Sequence, residues 1–274
     1  MMRKYLLLLG ASVALMLGLC ATNQRPVDAT VRATATIYLH GHHGGERSMD
    51  DLMASAEAAD DAHSVITAVV QRDGKVDLHG YWPADTVRPL VKVVFKNNRT
   101  TRRHRISNWL RNVLVALRDR YGITKFNMVA HSMGNIACLF YELRYGRDPQ
   151  MPQLHKYVAL GGNFDGIPGH NRHQHPNHTL PDGRPAWLSP NFKQALRLRQ
   201  NFPRKVQVLN IYGDMDGQHN DGKVLNASSR SLGFLLKKRL KSYREIKVRG
   251  WEAQHAMLRS NPQVALNVNQ FLFP

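Results

Sequence analysis

Short apolar runs alternate with amphipathic segments along the chain, and this alternation predicts strands and helices in turn. Runs rich in β-branched and aliphatic residues predict strands at 33–39, 65–70, 90–95, 125–130, 155–160, 206–211 and 244–248. Asp73-Gly74 predicts a hairpin turn into one more strand, 76–81. Helices are predicted at 49–59, 134–145, 228–240 and 264–271. The most regular helical pattern is an apolar stripe formed by Ile106, Trp109, Leu110, Val113, Leu114 and Leu117.

This order of elements predicts an α/β fold with a mostly parallel central sheet and helices on both faces. The chain has 274 residues, which suits one large α/β domain over residues 30–274. Residues 163–200 interrupt the rhythm with Gly, Pro, Asn and His, and we expect them to form a lid-like excursion over the sheet.

Residues 1–29 are predicted to be an export signal or an N-terminal membrane anchor. Arg3 and Lys4 precede an uncharged apolar stretch over 5–19, which is shorter than a stable membrane span requires. Cleavage after Ala29, lipid attachment at Cys20 and retention as an anchor are the three alternatives. We therefore expect the protein to be secreted or attached to the cell surface.

The chain has a net charge of +18, which favours partners that carry negative charge. Arginines at 99, 102, 103 and 105 form a basic patch together with those on the polar face of the 106–117 helix. A solvated helix face is the simplest explanation. In an exported protein this patch favours association with an anionic cell wall or membrane surface. No nucleic-acid reader motif is present, so nucleic acid is not expected.

The candidate nucleophile is Ser132, which follows a predicted strand and precedes a predicted helix. A serine at such a turn needs small residues two positions before and after it, and these are Ala130 and Gly134. The motif differs from G-x-S-x-G by one methyl group. The helix N-terminus also stabilises the negative charge that develops during attack.

An oxyanion hole takes one backbone N–H from the residue after the nucleophile and one from an upstream loop. Met133 and His42 are the expected donors, since His42 lies in the Gly-rich loop after the first strand. The base should lie after the last strand, which selects His255 from the 14 histidines. Asp221 is the expected acid, and Asp216 is the reserve. We expect substrate contacts from His131, Phe164, Trp187 and Phe192.

Two clusters could hold metal ions, but we predict neither a metal site nor a cofactor. His170, His173, His175 and His178 fit a solvated His-rich segment, because no cysteine and few carboxylates lie nearby. The acidic loop 214–221 lacks the regular ligand spacing and the final Glu of a calcium loop.

The chain resembles the α/β-hydrolase superfamily and, within it, the exported or cell-surface hydrolases of Gram-positive bacteria known as the DUF915 family. The resemblance rests on Tyr38-Leu39-His40-Gly41, Gly44-Gly45, His131-Ser132-Met133-Gly134-Asn135, Gly161-Gly162-Asn163-Phe164, Asn210-Ile211-Tyr212-Gly213-Asp214, Asn220-Asp221-Gly222-Lys223-Val224 and Ala253-Gln254-His255. It implies Ser132, Asp221 and His255 as a catalytic triad. The family usually has Pro after the Val of the acid loop, where Leu225 stands here.

The expected activity is hydrolysis of acyl esters, of the esterase, lipase or thioesterase type, through an acyl-enzyme. The alternative is a catalytically inactive protein of the same fold that binds anionic cell-surface polymers or lipid.

Overall fold

The computed structural model describes residues 33–168 and 177–274, which form one open sheet of eight strands with α-helices around it. The strands are β1 (Ala35–Leu39), β2 (Ala62–Val70), β3 (Val76–Gly80), β4 (Arg88–Phe95), β5 (Lys125–His131), β6 (Gln153–Leu160), β7 (Gln207–Asp214) and β8 (Ser242–Arg249). The helices are α1 (Asp50–Ala59), α2 (Arg103–Tyr121), α3 (Met133–Tyr145), α4 (Pro190–Leu198), α5 (Asn226–Leu236) and α6 (Pro262–Leu272).

The strands lie in the order β3-β2-β4-β1-β5-β6-β7-β8. Only β3 is antiparallel to its neighbour, through the predicted hairpin at Asp73-Gly74, and every other neighbouring pair is parallel. The prediction of a mostly parallel sheet is therefore confirmed. Because parallel strands share a direction, β1, β5, β6, β7 and β8 all end at one edge of the sheet.

Two apolar layers cover the two faces of the sheet. Side chains of α2, α3 and α5 pack on one face and those of α1 and α6 on the other. The central strand β5 serves both layers, since Met128 and Ala130 point to the first and Val129 to the second. This alternation follows from the two-residue period of a strand. It also explains why a strand that is buried on both faces is apolar at successive positions.

Helix α2 confirms the predicted apolar stripe, because all six of its stripe residues are buried. The helix extends beyond the stripe at both ends. It stops at Gly122, which has a φ of 69° and closes the last turn in the left-handed conformation.

The excursion at 163–200 differs in part from its predicted form. Its C-terminal third is the regular helix α4, which packs against α3 and buries Phe192 and Ala195 completely. Ser189 caps this helix by accepting a hydrogen bond from the N–H of Phe192. Pro190 follows at the first helical position, so the two residues together form a recognisable helix start. The sequence carried this signal, although the excursion was predicted without a helix.

Several predicted features lie outside the described residues. They include the leader 1–29 and the histidines 170, 173 and 175. Within 33–168 and 177–274, no helix combines the length and the apolar character that a membrane span needs. No group of three potential metal ligands comes together in those ranges either.

Candidate active site

Ser132 lies at the turn between β5 and α3, with φ 52° and ψ −119°. This conformation is rare for a residue with a side chain and costs on the order of 1–3 kcal/mol. Its N–H donates to the carbonyl of Leu160 at 3.0 Å, which fastens the turn to the end of β6. This strained turn thus places Ser132 at the carboxyl edge of the sheet, directly before the first turn of α3.

Two glycines permit this turn. A Cβ at Gly134 would lie 2.8 Å from the carbonyl oxygen of Leu39, and one at Gly41 would lie 2.8 Å from Cβ of Ser132. Both distances are shorter than real Cβ contacts, so these positions must remain without a side chain. The methyl group of Ala130 is instead fully buried in the core. The core therefore has room for the methyl group of Ala130, where the usual motif has glycine.

His255 and Asp221 are paired at the same edge. The Nδ1–H of His255 donates to Oδ2 of Asp221 at 2.7 Å, and the backbone N–H of His255 donates to the carbonyl of Asp221 at 2.8 Å. Both side chains are buried. The carboxylate accepts from Nδ1, so the Nε2 of His255 remains as the proton-accepting nitrogen of the neutral ring.

The acid loop fixes Asp221 from its other side. Its Oδ1 accepts the backbone N–H groups of Lys223 and Val224 at 3.0 and 2.7 Å. Val224 is fully buried and holds the loop against the core. Asp216 instead occupies an exposed turn, and Asp214 pairs with Lys247 at 2.9 Å. The structure thus brings Asp221, and not the reserve acid Asp216, to His255.

His131 does not line the cleft as predicted. It is buried, and its Nε2–H donates to the backbone carbonyl of His255 at 2.9 Å, with the two rings 4.6 Å apart. Burial, reinforced by the nearby His255 and Arg259, holds the pKa of His131 well below its ordinary value. The neutral ring therefore acts as a brace that sets the position of the His255 backbone.

Ser132 and His255 lie at the same edge of the sheet, each in the loop after its own parallel strand. Among the described residues, no hydrogen bond joins the Ser132 hydroxyl to the ring of His255. Such bonds commonly form or shorten only when substrate is present. Gly161 leaves the space for the ring, because a Cβ there would lie 3.1 Å from Nδ1 of His255.

The loop after β1 is anchored by His40. Its Nε2 accepts the N–H of Phe95 at 3.0 Å, and its Nδ1–H donates to the carbonyl of Gly41 at 2.8 Å. Burial lowers the pKa of His40, which agrees with a neutral ring that both donates and accepts. The sequence places His40 in the loop motif but indicates no role for its side chain.

The two predicted oxyanion donors lie along one cleft with Ser132. Met133 is the first residue of α3, so its N–H has no acceptor within the helix. His42 follows the anchored Gly41, and the Nε2 of its ring is 3.0 Å from the carbonyl oxygen of Arg99. Both residues line the cleft. Both residues therefore lie in the same cleft as Ser132, and their role as oxyanion donors stays a prediction.

The cleft has a volume of about 150 Å³. Among the described residues, its apolar wall includes Ile106, Met133, Ile136, Phe164 and Ile167, and its polar lining includes Asn163, Asn191 and Lys223. Phe164, one of the predicted substrate contacts, thus lies in this wall. The other two aromatic residues that were predicted to contact substrate do not line the cleft. Phe192 is buried in the core, and Trp187 lies outside the lining. Lys223 was overlooked as a wall residue, although it follows Asp221 by two positions.

Comparisons with known proteins agree with this architecture. The model of a family described as an alpha/beta hydrolase of unknown function, DUF915, matches residues 23–274. The structure of a gene product from Listeria innocua is 25% identical with a TM-score of 0.78, covering 88% of this chain and 94% of its own. A proposed cell surface hydrolase from Lactobacillus plantarum is 22% identical with a TM-score of 0.73, covering 88% and 92%. A search of curated proteins found no match.

Proposed function

Because the chain belongs to the DUF915 family of α/β-hydrolases, we propose that it is a serine hydrolase that cleaves carboxylic esters. The observation that carries the proposal is the 2.7 Å hydrogen bond from His255 to Asp221, at the edge where Ser132 occupies its strained turn. A fold by itself hosts many functions. A buried acid–histidine pair, at the same sheet edge as a serine in this conformation, is the arrangement that nucleophilic catalysis by serine uses.

Acyl transfer then proceeds in two steps. The Ser132 hydroxyl attacks the ester carbonyl while Nε2 of His255 removes its proton, and the amides of Met133 and His42 stabilise the oxyanion. The C–O bond breaks as His255 returns the proton to the leaving alcohol. Water then attacks the acyl-serine, again with His255 as base, and releases the acid. Asp221 orients the imidazole and stabilises its cation without taking the proton.

The size of the cleft favours short acyl groups. Its 150 Å³ is below the roughly 300–1,000 Å³ typical of sites that enclose larger ligands. Ile106 and Ile136 narrow the side nearest α2 and α3. Among the predicted activities, an esterase for short acyl groups therefore fits better than a lipase for long chains.

Rapid mixing with p-nitrophenyl acetate tests this function. The wild-type chain should release one equivalent of p-nitrophenol in a burst, followed by slower steady turnover, as expected of an acyl-enzyme. Ser132→Ala should lose both phases, while Ser260→Ala, in an exposed position before α6, should keep them. A wild-type chain with neither burst nor turnover would instead favour the inactive, surface-binding alternative.

Export is proposed as well, on the charge and apolar pattern of residues 1–29. Expression with this segment in a Gram-positive host, followed by mass measurement of the processed chain, tests the proposal. Cleavage after Ala29, lipid at Cys20 and an intact anchor give three different masses. An intact chain in the cytosolic fraction would contradict export.

A further inference from the structure

A second concave surface, which we call the arginine groove, lies beside the cleft. It has a volume of about 750 Å³ and lies between the hairpin that joins β2 to β3 and the first turns of α2. Five arginines line it: Arg72, Arg102, Arg103, Arg105 and Arg111. The mechanism proposed for Ser132 uses none of them.

The positive charge of the groove is not neutralised within the described residues. None of the five guanidinium groups lies within 4 Å of a carboxylate there. Among the described residues, the side chain of Arg103 hydrogen-bonds only to neutral amides, those of Asn191 and Gln194. Asp73, which also lines the groove, accepts the backbone N–H of Lys75 with its Oδ1. Such a surface attracts anions.

The positive charge in and around the groove also affects a histidine that lines it. The pKa of His104 is lowered, first by desolvation and then by the charges of Arg103 and Arg144. Arg111 lies over the ring of Tyr145 at 5.3 Å, which restrains its guanidinium group. Restrained arginines bind phosphate well, because their planar donors match two phosphate oxygens at once.

The groove and the cleft share one wall, residues 101–106. Thr101 and Ile106 line the cleft, whereas Arg102 and Arg105 line the groove. The side chain of Arg103 bridges the two, since it donates to Asn191 of the cleft at 2.8 Å. The groove and the cleft are therefore adjacent, which places a chain molecule held in the groove next to the cleft that contains Ser132.

We propose that the arginine groove binds the phosphate groups of a linear polyanion and presents ester substituents of that polymer to Ser132. The second half of this statement rests on the proposed esterase function, and the first half does not. It defines the substrate class as short acyl esters on a phosphate-bearing polymer.

A membrane surface fits the groove less well than a polymer. The surface is concave, and the most exposed large hydrophobic residues in the described ranges, Tyr81, Val87, Trp251 and Leu266, lie outside it. Nucleic acid fits less well too, because base stacking needs an open aromatic face. Trp109 in the groove is 3% exposed, and the ring of Tyr145 is covered by Arg111 and Arg144.

Binding of fluorescent linear polyphosphate, followed by anisotropy, tests the proposal. The full chain carries Ser132→Ala, so that catalysis does not enter the measurement. The test variant combines Arg72→Gln, Arg102→Gln and Arg105→Gln, whose exposed side chains make no hydrogen bond or ion pair among the described residues. The control combines Arg204→Gln, Lys205→Gln and Lys241→Gln, which remove the same charge from another exposed surface.

The test variant should bind polyphosphate about tenfold more weakly than the parent, and the control should bind like the parent. Equal weakening in both variants would overturn the proposal, because it would indicate diffuse charge attraction. Tighter binding of phosphatidylglycerol vesicles or single-stranded DNA, at equal phosphate concentration, would overturn the choice of partner. Failure of the esterase assay with selective polyphosphate binding would refute the catalytic half alone.

Discussion

The ring and the backbone of His255 both donate to Asp221, at 2.7 Å to its carboxylate and 2.8 Å to its carbonyl. This double connection joins the loop after β8 to the loop after β7. The side chain of Asp221 is in turn held by the N–H groups of Lys223 and Val224. The orientation of the imidazole is therefore set by buried hydrogen bonds from two loops.

Replacing the acid tests this orientation. Asp221→Asn should lower kcat by about 10²- to 10⁴-fold, because an amide in this place favours the wrong tautomer of His255. Asp216→Asn should stay within about twofold of wild type, because Asp216 is exposed on a neighbouring turn. Ester hydrolysis by both purified variants gives the comparison. Full activity of Asp221→Asn with loss in Asp216→Asn would contradict the assignment of the acid.

The approach of the β1 loop to the nucleophile leads to a second prediction. Gly41→Ala places a methyl group 2.8 Å from Cβ of Ser132, so the loop must move and kcat/KM should fall on the order of a hundredfold. Gly45→Ala is the matched control, because no atom lies within 4 Å of its added Cβ. Thermal unfolding of both variants separates misplacement from loss of fold. Equal activity of the two folded variants would refute the close-approach argument.

Acid should destabilise the protein through its buried histidines. The folded-state pKa of His131 is lowered by burial, so below a pH of about 6.5 the unfolded chain binds a proton that the folded chain does not. Stability should therefore fall as pH decreases, by at most about 1.4 kcal/mol per pH unit for this residue. His131→Gln keeps an N–H donor but does not titrate, so its urea-unfolding free energy should depend less on pH. An unchanged slope would show that His131 is not responsible.

The narrow cleft predicts a preference for short acyl chains, and Ile136 should control this preference. Wild type should hydrolyse acetate esters with higher kcat/KM than octanoate esters. Ile136→Ala should raise the ratio of butyrate to acetate by about fifteenfold, since each of the two additional buried CH₂ groups contributes about 0.8 kcal/mol. Leu266→Ala, on the exposed side of α6, is the control. A wild type that prefers octanoate would contradict the short-acyl proposal.

Most of the fold could be predicted because its signals are local. The stripe on α2 and the doubly buried run 128–130 each follow from the geometry of one element. The short helix α4 was missed because its start signal, Ser189-Pro190, lies among Gly, Pro and Asn residues that favour a loop. Ser189 and Pro190 define the start of the helix, and packing against α3 stabilises it.

The positions of Ser132, Asp221 and His255 at the edge of the sheet also follow from chain order, because each comes after its own parallel strand. The role of His131 could not be predicted in this way. Its contact to the carbonyl of His255 joins residues 124 positions apart, so it depends on how two loops fold together. The same holds for the tie between His40 and Phe95, and for the burial of Phe192 in the core.

Covalent labelling with a fluorophosphonate, followed by peptide mapping by mass spectrometry, tests whether Ser132 is an activated nucleophile. Wild type should gain one adduct per chain on the peptide that contains Ser132, and Ser132→Ala should gain none. Asp221→Asn should label much more slowly at the same residue. A wild type that stays unlabelled, or an adduct on any residue other than Ser132, would show that Ser132 is not the activated nucleophile.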